Sequence, residues 1–200
     1  MKAKHTGFTL IELMFTIVVL AVLLGIGVPN FRDFVRNSRM TSAANDLLAD
    51  LNLARSEAVK RRVPVTLCKS ANGTDCAAAT AAFTGWIVFV DDANPLVDSS
   101  DDGNGVVNAS GTPAEQVLVF RRLPQLEARS DGVRQVFRPS GFPNPGATDR
   151  LTRLVLCDAR KNVVTSGGSS AARGLTISPT GHAAVTRDIA TITAMGGCPT

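Results

Sequence analysis

Glu12 is the residue of this sequence whose position most needs a chemical explanation. It is the one ionisable side chain in the 21 residues from Phe8 to Val28. A carboxylate in hydrocarbon is costly unless it is protonated or partnered. Its chemistry is therefore that of an ion pair or hydrogen bond made inside an apolar medium. Four cysteines, Cys68, Cys76, Cys157 and Cys198, form a second set. None belongs to a CxxC pair or to a Cys/His cluster of zinc spacing, which argues against a metal site. An even number downstream of a membrane segment favours disulfides in an oxidising compartment. Three connectivities are open. The favoured one joins Cys68 to Cys76 across the turn-rich loop KSANGTD, and Cys157 to Cys198, which ties down a C-terminal tail that would otherwise fray.

Two other groupings invite chemistry and fall short of it. Asp98, Ser100, Asp102 and Gly103 occupy the first, third, fifth and sixth places of an EF-hand-like loop, but the twelfth place is Ala109 and no helix pattern flanks the stretch. An ordinary Asx-turn loop is the better reading, and no metal is expected. His182 and Asp188 are available for hydrolysis, but no nucleophile motif accompanies them and the chain has no Tyr. Neither catalysis nor a cofactor is expected.

The elements that must position these residues follow from periodicity. A length of 200 residues with 44% hydrophobic content suits one head plus one extra apolar element. Phe8 to Val28 supplies the latter, since a hydrocarbon core of about 30 Å needs roughly 20 residues at about 1.5 Å each. Gly25, Gly27 and Pro29 weaken the helix at its far end. Beyond them Phe31, Phe34, Val35, Ala44, Leu47, Leu48, Leu51, Ala54, Ala58 and Val59 recur mostly at steps of three and four, so the helix continues. Pro64 marks its end, with Lys60, Arg61 and Arg62 at the negative end of the dipole. Eight β-prone runs follow: VPVTLC, GWIVFV, VLVFRRL, VRQVFR, RLTRLVLC, GLTIS, HAAVT and ATITAM. The expected class is α+β, a long N-terminal helix packed on an antiparallel β head of one or two sheets. The expected division is 1–7, 8–29, 30–63 and 64–200. The net charge of +4 hides a polarity: Pro64 to Gln116 has one basic residue against seven acidic ones, and Val117 to Thr200 has eleven basic against five acidic.

The first seven residues, MKAKHTG, are short and basic, and FTLIEL follows at once. A secretory signal peptide places its cleavage site after the apolar stretch, whereas here Gly7 precedes it. This junction resembles the type IV prepilins and type II secretion pseudopilins. The resemblance implies that prepilin peptidase cuts between Gly7 and Phe8 and methylates the Phe8 amine. It implies that the helix sits in the inner membrane with the head periplasmic, oriented by Lys2 and Lys4. It also implies that Glu12 meets the N-terminal amine of a neighbouring subunit, that Pro29 bends or loosens the helix in the filament, and that the shape is the pilin lollipop. The Trp86 strand leading into Asp91, Asp92 and Asn94 resembles the GspH/FimT group of minor pilins. A minor pilin that primes or caps a type IV pilus is the implied role, with other pilins as partners. A minor pseudopilin of type II secretion and a pilus-associated DNA receptor are the alternatives. The group's DNA receptors use a Gly-Arg-x-Arg motif. The nearest stretch here is Gly181-His182-Ala183-Ala184, so DNA contact falls to Arg160, Lys161, Arg173 and Arg187.

Overall fold

Many helices end on a residue in left-handed backbone, and Arg62 takes that role with φ of 61°. It closes α1 (Leu10–Arg61), a 52-residue helix that runs without a break through Gly25, Gly27 and Pro29. In its last turn Glu57 holds Lys60 at 3.3 Å and Arg61 at 2.6 Å. The computed structural model describes residues 7–91, 107, 115–123, 125–147, 149–165 and 167–198. Asp92, Asn94, the loop from Asp98 to Ala109 apart from Val107, and the first six residues lie outside the described residues. The chain divides into two compact units, Met1–Arg39 and Met40–Thr200.

Within the second unit the helix buries Met40, Ala44, Leu47, Leu51, Ala54 and Ala58, an alternation of four- and three-residue steps that keeps one face inward. Phe31, Phe34 and Val59, which the periodicity had placed on the same stripe, are exposed. The remaining elements are β1 (Val65–Lys69), β2 (Gly85–Val90), β3 (Val117–Arg122), β4 (Glu127–Ser130), β5 (Arg134–Phe137), β6 (Arg153–Cys157), β7 (Arg173–Ile177), β8 (Ala183–Thr186) and α2 (Ile189–Ala194). Among the described residues the strands form two four-stranded antiparallel sheets, ordered β3-β2-β1-β5 and β4-β6-β7-β8.

The two sheets share one core. Val65, Leu67, Trp86, Val88 and Phe137 of the first and Leu154, Leu156, Leu175 and Ile177 of the second join the helix residues in a single cluster. At roughly 1.5–3 kcal/mol for each large apolar side chain buried, this seam is the main source of stability in the head. Each sheet also has a covered outer face. Ile87 and Phe89 pack with Cys68, Cys76, Val107 and Val117 on the first, and Val155, Ala172 and Ile192 pack with Cys157, Met195 and Cys198 on the second. A disulfide pins each cover, Cys68–Cys76 on one and Cys157–Cys198 on the other. Sheets buried on both sides explain why GWIVFV and RLVLC read as nearly unbroken apolar runs.

Two sequence expectations need correction. ATITAM is not a strand: it lies in and just after α2, which Asp188 caps by accepting the Thr191 N–H. The cap and the neighbouring surface override the β propensity of its residues. Ile192 and Met195, three apart, fall on one helical face and pack over Gly174, where a Cβ would come within 2.9 Å of Met195 Sδ. The segment EARS is a strand, β4, although charged and half-exposed residues give it no apolar pattern. It pairs with β6 at the sheet edge.

Two buried charges fix the frame. Asp50, 3% exposed on the inner face of the helix, accepts the Trp86 indole N–H at 2.8 Å and Arg121 Nε at 3.1 Å. It thereby ties α1 to β2 and β3. Lys69 is buried at the end of β1 and donates to the carbonyls of Ala79 and Ala81 at 2.7 and 2.8 Å. Burial pushes its ammonium below the ordinary lysine value, with Asp149 acting in the other direction.

Asp131 makes a third anchor, between the end of β4 and the start of β6. It accepts the N–H groups of Thr152 and Arg153, each at 2.9 Å, together with the Thr152 hydroxyl. Burial works to raise its pKa, but those hydrogen bonds prevail and hold it below the ordinary aspartate value of 3.8. A depressed folded-state pKa adds stability that is present above the unfolded value and is lost as pH falls through the folded one. Asp131→Asn should therefore cost about 1–2 kcal/mol at neutral pH. In denaturant titrations the gap from wild type should be complete above about pH 5 and should close as pH falls below about 4. Asp50→Ala should cost about 2–3 kcal/mol, because it leaves a buried indole N–H without its acceptor. The sole tryptophan, Trp86, reports that unfolding directly by fluorescence.

Candidate functional site

The first unit presents its chemistry at the start of the helix. Gly7, Phe8 and Thr9 precede α1 without regular structure and are exposed, Phe8 to 81%. The Gly7–Phe8 peptide bond is thus exposed and outside the helix. Thr9 is built as an N-cap. Its carbonyl accepts the Leu13 N–H at 3.2 Å, and its hydroxyl accepts the Glu12 N–H at 3.3 Å. The spacing T-x-x-E is the capping-box pattern, a signal present in the sequence that periodicity alone passes over. Glu12 stands in the first turn, where the helix dipole favours a negative charge.

From Phe8 to Val28 every side chain is exposed, and the most apolar 18-residue window has a mean hydropathy of 2.6. A helix apolar on all sides is suited to lipid or to the packed interior of an assembly, not to water. It is long and apolar enough to cross a membrane. Pro29 lies inside the helix, so the lone chain does not show the loosening expected there. A proline removes one main-chain donor, and the turns on either side persist. Asn30 Nδ2 adds a bond to the Ile26 carbonyl at 3.1 Å in the same turn.

In the second unit the four candidate cations do not act alike. Lys161 is exposed in a turn, with φ of 57°. Arg160 is bound to Asp158, through Nε at 3.0 Å and Nη2 at 2.6 Å. Arg187 is exposed. Arg173 is only 4% exposed, and its guanidinium donates to the carbonyls of Ser170, Ala171 and Ala172. A side chain so enclosed is a strut of the head, and nothing in an arginine's identity or spacing announces that. The His182 main-chain N–H donates to the Ser178 hydroxyl oxygen at 3.0 Å, and Asp188 spends its carboxylate on the α2 cap. Among the described residues no group of three His, Cys, Asp or Glu is placed to hold a metal ion.

Comparison with known proteins places this geometry in context. A family model described as prokaryotic N-terminal methylation motif matches residues 2–28, the segment that holds Gly7, Phe8 and Glu12. A type IV major alpha-pilin of Moraxella bovis is 26% identical over 134 residues, covering 64% of this chain and 81% of that protein. Fimbrial protein EcpC of Eikenella corrodens is 42% identical over 45 residues, and fimbrial protein Q of Moraxella bovis is 33% identical over 69. The chain spans 29% and 43% of those two relatives. The crystal structure of the type IV minor pilin FimU of Pseudomonas aeruginosa aligns with a TM-score of 0.46 at 19% identity, over 84% of this chain and 97% of that one. The model described as type II transport protein GspH matches residues 43–181, well over half of the chain. This chain, a type IV pilin-like protein with an N-terminal methylation motif, belongs to the GspH family.

Proposed function

We propose that the chain is a minor pilin of a type IV pilus, made as a prepilin, cut between Gly7 and Phe8 by prepilin peptidase and N-methylated on Phe8. The observation that carries this reading is the exposed Gly7–Phe8 bond placed directly ahead of a bare apolar helix that opens with Glu12. Before assembly the helix spans the inner membrane with the head in the periplasm, where an oxidising environment suits the two disulfides. After assembly other pilins replace lipid around the apolar helix. The role is structural, without catalysis or cofactor.

Glu12 gives assembly its register. Cleavage creates an amine on Phe8, and a carboxylate in an apolar interior needs such a partner. The amine and carboxylate of neighbouring subunits offset each other only at the correct axial offset, so the pair selects geometry more than it adds stability. A minor pseudopilin of type II secretion is the second reading, supported by the family's own description as a type II transport protein. A DNA-receptor role has less support, because the enclosed Arg173 is withdrawn from any row of phosphate-binding cations.

Glu12→Val should leave membrane insertion and cleavage intact and lower the amount recovered in sheared filaments by on the order of tenfold. The check is immunoblotting of membrane and filament fractions from the same cells. Equal recovery of mutant and wild type in filaments would remove Glu12 from assembly.

A further inference from the structure

Past Pro29 the helix changes character while still inside the first compact unit, Met1–Arg39. Phe8 to Val28 holds no cation, whereas Pro29 to Arg39 holds Arg32, Arg36 and Arg39 against one acid, Asp33. All three arginines are exposed. So are Phe31 and Phe34, to 67% and 68%, with ring centroids 6.5 Å apart. At 3.6 residues per turn the arginines, spaced four and three apart, fall within an arc of about 60°. Phe31, Phe34 and Val35 fall on the neighbouring side, within about 100°. One exposed face is thus basic and the next is apolar.

The axial positions of these residues match the layers of a bilayer. Phe8 to Val28, in helical rise, measures about 30 Å, the thickness of the hydrocarbon core. With that stretch in the core, Phe31 stands about 5 Å beyond its edge, Arg32 about 6 Å and Arg36 about 12 Å. The headgroup layer takes up roughly 5–8 Å on each side. Side chains on a helix lean toward its N-terminus, which here lies on the membrane side of the arginines, so Arg36 and Arg39 reach back toward the headgroups. Arg36 Nη1 stands 3.7 Å from Asp33, both side chains being about half exposed. Exposed pairs of this kind contribute little and yield to a closer anion.

We propose that Arg32 and Arg36, with Phe31 and Phe34 beside them, bind anionic phospholipid headgroups at the membrane surface where the helix emerges, and so set its depth before assembly. The proposal rests on the reading that the apolar helix spans a membrane. Charge argues for the anionic headgroup: a zwitterionic one gives an arginine no net attraction, whereas a lipid of net negative charge gives it a phosphate that matches the guanidinium fork. Continuity argues for lipid over a protein surface. A protein partner would have to cover two large exposed rings and a basic face at once, while the interface presents hydrocarbon edge and then phosphate in the order in which the helix meets them.

The test reconstitutes the full-length chain in phosphatidylcholine vesicles that contain a trace of spin-labelled phosphatidylglycerol or of spin-labelled phosphatidylcholine. Electron paramagnetic resonance reads the fraction of each label that the protein holds motionally restricted. Wild type should prefer phosphatidylglycerol by about fivefold, and the preference should shrink as salt is raised. Arg32→Gln/Arg36→Gln should bring the two lipids close to parity, and Arg32→Lys/Arg36→Lys should keep most of the preference. Trp86 fluorescence checks that the head stays folded in each variant; should the Gln pair misfold, Arg36→Gln alone should show a partial loss. Equal restriction of both lipids by wild type overturns the proposal. So does an undiminished preference in the folded Gln pair, which would place the anion contact elsewhere on the chain. If that undiminished preference comes with a loss of recovery in sheared filaments, the face belongs to a neighbouring subunit. Failure of wild type to restrict either label overturns the membrane-span reading, and this proposal with it.

Discussion

The head depends on one seam, the face of α1 from Met40 to Ala58. Two four-stranded sheets, each short and each with its own outer cover, join that face in one core cluster. The four-three spacing of Met40, Ala44, Leu47, Leu51, Ala54 and Ala58 presents a continuous apolar stripe to both sheets. Asp50 lies within the stripe, and its hydrogen bonds to Trp86 and Arg121 fix which strands meet which turns of the helix. The two disulfides act away from the seam, on the outer faces, where a small head lacks the volume to bury sheet surface by packing alone.

The same helix obeys a different rule before Arg39. There it is apolar on every side as far as Val28, so no single face is chosen for burial within the chain. A segment with that character is suited to an apolar surrounding, where a lone carboxylate such as Glu12 is costly unless it is protonated or partnered. The sequence therefore separates two tasks along one helix: an amphipathic stretch organises the head, and an all-apolar stretch is left for lipid and for neighbouring subunits.

Features carried by local spacing could be read before any coordinates were in hand. The long helix, the apolar strands, the short loop closed by Cys68–Cys76 and the C-terminal tail tied down by Cys157–Cys198 belong to this kind. Features set by tertiary surroundings could not. ATITAM has strand propensity and becomes α2 because Asp188 caps it and Gly174 leaves room for Ile192 and Met195. EARS has no apolar alternation and becomes β4 because the edge of β6 offers it main-chain partners. Arg173 counted as one more surface cation, and the carbonyls of Ser170 to Ala172 enclose it. Asp50 was passed over because a carboxylate inside an apolar stripe makes sense only once Trp86 stands opposite.

The account's central claim is that this chain enters a filament through a processed N-terminus. Its most direct test is intact-mass and N-terminal analysis of the full-length protein expressed with and without prepilin peptidase. The account predicts that the peptidase removes MKAKHTG and leaves Phe8 as the first residue with one methyl group on its amine. A leader that stays intact in the presence of active peptidase would contradict it and leave a membrane-anchored β head without an assembly role.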